Sequence, residues 1–135
     1  MIVLQNKQFK ICKAIAAAPS TVWEIVTDTS IWSSWGPSLA DVECSERHIR
    51  RGSTGRVKTL FYFWLPFIIT EYKHLHYWNW RVGPLNATGH SIIQTNEKSC
   101  TLCFDMPWWA FFYLPVCWLA LMRINKLATS RIQAL

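Results

Sequence analysis

A chain of 135 residues fits a single domain spanning 1–135 and can bury roughly two-thirds of the surface its unfolded form exposes, so no cofactor or covalent staple is required for folding. With 51% hydrophobic and only 16% charged residues, apolar surface is left over after a core is filled, and nine Trp in so small a domain point to a cavity wall or an interface. The formal net charge of +6 is scattered, with no basic run longer than Arg50-Arg51, which argues against a nucleic-acid partner.

The first residues, Met1 to Lys7, lack a charged start, an apolar stretch and a small-residue cleavage site, so no secretory signal is visible and the expected location is cytoplasmic. Residues Lys7 to Ala16 alternate as a strand. Ser20 is placed to cap a helix whose apolar face is Val22, Trp23, Ile25 and Val26, and Asp28 to Trp35 reads as a second short helix ended by Gly36-Pro37. Six further strands follow at about Leu39 to Glu46, Gly55 to Leu60, Phe67 to His74, Tyr77 to Val82, Thr88 to Thr95 and Ser99 to Met106. Turn residues separate them, including Arg51-Gly52-Ser53, Leu65-Pro66 and Gly83-Pro84. From Trp108 to the C-terminus helical spacing returns, with Cys117, Leu121, Ile124 and Ala128 on one face and Pro115 at a start or kink.

This order of one strand, two short helices, six strands and a long helix resembles the START-like (SRPBCC) superfamily, which includes polyketide cyclases and dehydrases and lipid-transfer domains. The resemblance spans nearly the whole chain and rests on Ala18 to Trp23, Asp28, Trp32 to Pro37, Gly52 to Val57, Ile69 to Tyr72, His90 and the apolar last helix. It implies an α+β helix-grip fold, a seven-stranded curved antiparallel sheet gripping the C-terminal helix, with an internal cavity for a hydrophobic small molecule. Family members range from enzymes to carriers, so the fold alone assigns no chemistry.

On this reading Trp32, Trp35, Trp78, Trp80, Ile92 and Trp118 supply apolar wall, with Tyr72 and His90 as polar contacts of a lipid-like or polyketide-like ligand. The alternative is a cyclase or dehydrase in which His90 and a carboxylate, Glu71, move protons. Asp105 is a second carboxylate inside an apolar strand, and Glu71 and Tyr72 must face opposite sides, so at most one of them lines the cavity. His48, His74 and His76 fall in or near connections and read as solvated.

The five Cys lack framework spacing and read as free thiols in reducing cytosol. Cys100 and Cys103 have a metal-like gap but lie three apart on a strand, so they face opposite sides and no metal site is expected. No nucleophile elbow or phosphate loop is present.

In an up-and-down meander alternate connections share an end of the sheet. That rule gathers Trp32, Trp35, the Phe61 to Pro66 connection, Gly83-Pro84 and the Trp108 to Leu114 stretch at one aromatic pole. It sends Arg47, His48, Arg50, Arg51, Lys73, His74, His76 and Lys98 to the other. The aromatic pole is a candidate ligand mouth and a candidate contact for a membrane surface or a second copy in a homodimer, whereas Trp108 to Met122 is too short for an ordinary span.

Overall fold

The computed structural model describes residues 2–133, and the expected helix extension to Leu135 lies outside the described residues. An eight-stranded antiparallel sheet is laid out in the order β1-β2-β8-β7-β6-β5-β4-β3 and is open between β1 and β3. The strands are β1 (Ile2–Gln5), β2 (Gln8–Ile15), β3 (Leu39–Cys44), β4 (Thr54–Thr59), β5 (Trp64–Lys73), β6 (Tyr77–Val82), β7 (Leu85–Asn96) and β8 (Ser99–Pro107). The expected six-strand meander is present as β3 to β8, and the first expected strand is β2.

The additional strand, β1, corrects the count of seven. It forms a hairpin with β2 through Asn6 and Lys7, both of which have positive φ, as a tight two-residue turn with the twist of the sheet requires. Pro66, expected to break the chain, lies instead inside β5 opposite Arg56, so the connection from β4 is only Leu60 to Phe63.

Helix α1 (Pro19–Thr27) starts two residues earlier than the capping argument placed it. Ala18 occupies the cap position without a side-chain bond and Pro19 takes the first turn, where its missing N–H costs nothing. Its last carbonyls would be unsatisfied in a buried helix end. The indole N–H of Trp32 donates to the Ile25–Val26 turn at Val26 O (3.0 Å), and that of Trp35 donates to Ile25 O (3.3 Å). A 3₁₀ turn (Thr29–Ile31) and α2 (Trp32–Trp35) are thereby pinned onto the end of α1.

Asp28, almost fully buried, fixes the same corner. It accepts from the Ser30 amide at 3.0 Å and from Arg47 Nη2 at 3.1 Å. Burial works against its charge, but the hydrogen bonds from Arg47 and Ser30 prevail and hold its carboxyl below the usual range.

The last helical region is a 3₁₀ segment (Trp108–Tyr113) followed by α3 (Leu114–Gln133), with Pro115 in the first turn of α3. Cys117, Ala120, Leu121, Ile124 and Ala128 are buried against α1, α2 and β2. Trp108 to Arg131 is long and apolar enough to cross a bilayer by length and composition, yet one face of it closes the core of this domain.

One expectation about the cysteines is overturned. Cys12 and Cys103 stand opposite each other on β2 and β8 and form a disulfide, because the strand register brings residues 91 apart in sequence into a directly facing pair. Cys44, Cys100 and Cys117 are free, and the argument from reducing cytosol fails for the bonded pair.

Candidate functional site

Between the concave side of the sheet, α2 and the start of α3 lies a cavity of about 440 Å³. Trp78 and Trp80 of β6 share its wall with Phe104 of β8, since alternate residues of a strand face the same side. Trp32 and Trp35 close it from the helical insert, and Ala120 and Cys117 close it from α3. The aromatic walls are packed on one another. Trp32 stacks on Trp78 with 5° between ring planes, and Trp78 stacks on His90 with centroids 3.8 Å apart.

The polar content of this wall is small and neutral. His90, 3% exposed, has its imidazole pushed down to about 3 by burial, partly offset by its bond to the Trp78 carbonyl, so it is uncharged at neutral pH. A carbonyl can only accept, so Nδ1 carries the proton and donates to Trp78 O at 3.4 Å. Nε2 is then the acceptor for the Thr88 hydroxyl at 3.3 Å, and Thr88 accepts in turn from Trp80 Nε1 at 3.4 Å. At the mouth Ser38 and Tyr113 share a hydrogen bond that ties the residues after α2 to the end of the 3₁₀ segment. Burial raises the Tyr113 phenol, and it pushes the Cys117 thiol up to about 12.

The residues singled out from the sequence divide into three groups. Trp32, Trp35, Trp78, Trp80 and His90 come together around the cavity. Tyr72 and Ile92 are on the concave side but away from it: Tyr72 receives the Trp23 indole N–H at 3.4 Å and contacts His74 at 3.1 Å, while Ile92 is buried in the core. Trp118 is on the outer side of α3 with Lys13 5.5 Å above its ring.

Glu71 is on the convex face, where it accepts from Tyr77 at 3.0 Å and Asn79 at 3.2 Å. The cause is a bulge between Ile69 and Glu71 in β5. Phe67 and Ile69 point inward, and simple alternation would carry Glu71 with them, but the extra residue shifts the phase and Tyr72 takes the inward place. Asp105 is also convex. It packs under Gly89, and burial raises its carboxyl against the opposing pull of Lys10. Neither carboxylate lines the cavity that holds His90.

The sequence reading missed Thr88, Phe104, Ala120 and the Ser38–Tyr113 pair. Thr88 was within reach, since it lies two positions before His90 on the same strand face.

The mouth gathers the aromatic connections. Leu60, Phe61 and Phe63 from the β4–β5 loop, Leu85 after the Gly83-Pro84 turn, and Trp109 and Phe112 from the 3₁₀ segment surround it. Phe61 is 84% exposed and Phe112 66%.

No sequence-family model and no curated protein sequence matches the chain at a significant level. Among solved structures the chain is similar to the Zhui aromatase/cyclase from Streptomyces sp. R1128, with a TM-score of 0.75 and 10% identity over 93% of this chain and 94% of that one. It is also similar to a START superfamily protein from Mycobacterium smegmatis, with a TM-score of 0.68 and 15% identity over 89% and 98% of the two chains. A conserved protein of unknown function from Enterococcus faecalis gives 0.65 and 18% over 93% and 74%. The protein therefore has a START-like, helix-grip fold.

Proposed function

We propose that this protein binds a small hydrophobic molecule, lipid-like or polyketide-like, in the cavity between sheet and C-terminal helix. The observation that carries the reading is a cavity of about 440 Å³ walled by aromatic and aliphatic side chains and opening through an apolar mouth. That size falls within the span of roughly 300–1,000 Å³ typical of small-molecule sites. The fold likeness to a START superfamily protein and to an aromatase/cyclase agrees with ligand binding.

Binding without chemistry is favoured over the His90-plus-carboxylate alternative. His90 has its one proton committed to a carbonyl and its lone pair to Thr88, and Glu71 lies across the sheet. The test is fluorescence of the uncharged dye N-phenyl-1-naphthylamine. It should brighten with the native protein and fail to do so with Ala120→Trp, whose indole fills the cavity from α3. Equal brightening by both proteins would mean the dye sits elsewhere and would remove the cavity as the site.

A second reading concerns the rim. Exposed Phe61, Tyr62, Phe63, Trp108, Phe111 and Phe112 exceed the scattered apolar residues of an ordinary surface. Basic groups accompany them: Lys58 lies 5.1 Å above Tyr62 and Arg56 lies 4.4 Å above Trp64. Aromatic and basic side chains together suit the headgroup boundary of an anionic bilayer, through which a hydrophobic ligand would pass without crossing water. Flotation with vesicles of phosphatidylcholine and phosphatidylserine tests it. Co-flotation lost in Phe61→Ser/Phe112→Ser supports the membrane, and a concentration-dependent dimer without flotation assigns the rim to a second copy.

A further inference from the structure

We infer that the ligand is uncharged over the part the cavity encloses, an alcohol or similar neutral hydroxyl compound, and that the site rejects carboxylates and ammonium ions of the same shape. This deepens the cavity-binding reading and rests on it. None of the lining residues among those described is Asp, Glu, Lys or Arg. The ionisable groups that do line it, buried His90 and Cys117 and partly buried Tyr113, sit where neutral forms are favoured. An ion drawn in would leave its water and meet no counter-charge, which is a heavy cost in an apolar surrounding.

A single neutral oxygen is accommodated. Thr88 donates to His90 and accepts from Trp80, which leaves its hydroxyl one acceptor position for a ligand O–H. Trp78, another wall residue, carries the one buried side-chain donor without a hydrogen-bond partner among the described residues. A ligand hydroxyl can use the open position on Thr88, whereas a carboxylate needs several donors to replace its hydration.

The basic groups near the rim are Lys58, over the ring of Tyr62, and Arg56, over the ring of Trp64 and paired with Glu43 at 2.6 Å, and neither lines the cavity. They offer the only competing explanation, a carboxylate held outside the mouth with its chain inside.

The experiment is displacement of N-phenyl-1-naphthylamine from the native protein at pH 7.5 by three probes of equal chain length: decan-1-ol, decanoate and decyltrimethylammonium. Decan-1-ol should displace the dye roughly tenfold or more better than either ion, a difference of about 1.4 kcal/mol or more. Decanoate displacing as well as or better than the alcohol would overturn the inference while leaving the cavity as a binding site, with the rim cations holding the headgroup. Decyltrimethylammonium doing so would overturn it in the same way. Failure of the dye and of all three probes to bind would bring down the cavity reading itself.

Discussion

Acidification offers a direct measure of how the interior treats His90. Its imidazole is held down at about 3 in the folded protein, against an ordinary value of 6.5 that an unfolded chain would show. Between those values the unfolded chain binds a proton that the folded one refuses, so stability rises with pH there. The folded state is thus unpenalised above 6.5 and loses stability progressively as pH falls toward 3. The slope is about 1.4 kcal/mol per pH unit, so His90 alone removes roughly 2 kcal/mol between pH 6.5 and pH 5.

Asp105 works the other way, because a carboxyl raised by burial favours the protonated folded state as pH falls. Asp28, held low, matters only in stronger acid. Both contributions are common to the native protein and to His90→Gln, which keeps a polar side chain but has nothing to titrate. Urea unfolding followed by tryptophan fluorescence at pH 5, 6, 7 and 8 should give curves that converge as pH falls, with the native protein losing about 2 kcal/mol relative to the variant. Parallel curves would mean that the imidazole is hydrated or that its proton is stabilised, and the closed hydrogen-bond chain would be wrong.

The Cys12–Cys103 bond closes a loop spanning 91 residues, and in the chain-entropy account such a closure stabilises by up to about 4–5 kcal/mol. Dithiothreitol should lower the urea midpoint of the native protein and leave Cys12→Ser unchanged, and the free thiol count should rise from three to five on reduction. Gly89→Ala should destabilise by about 1–3 kcal/mol, read as a fall in melting temperature, because a Cβ there collides with the Asp105 carboxyl and the Asn79 amide. Shortening the obstructing chain in Gly89→Ala/Asp105→Ala should recover part of that loss.

The order of elements was legible because each leaves a local mark: alternation in the strands, the helix-period apolar face of Val22, Trp23, Ile25 and Val26 in α1, turn residues between β5, β6 and β7. The aromatic pole followed from topology alone, since alternate connections of a meander share an end. What escaped required register. The β1–β2 turn is made by Asn6 and Lys7 rather than by a glycine pair, so the two left-handed residues gave no warning. The pairing of Cys12 with Cys103 depends on where β2 meets β8, which no spacing encodes. Glu71 and Tyr72 were recognised as alternatives, but their choice of face was decided by a one-residue bulge, which sets Tyr72 against Trp23.

The tryptophans show why the cavity would select by shape and charge more than by hydrogen bonds. An indole buried in a core needs an acceptor for its N–H. Trp32 and Trp35 take theirs from the end of α1, Trp23 takes Tyr72 and Trp80 takes Thr88, so the protein itself consumes nearly all the polar capacity near the site. A ligand would meet ring faces, methyl groups and very few unspent polar atoms. The binding energy would then scale with the apolar area enclosed, at about 25 cal/mol per Å², while each charge admitted would have to be stripped of water without compensation. The burial that neutralises His90 is the same burial that makes the cavity selective, so a substitution that brings water to one should weaken the other.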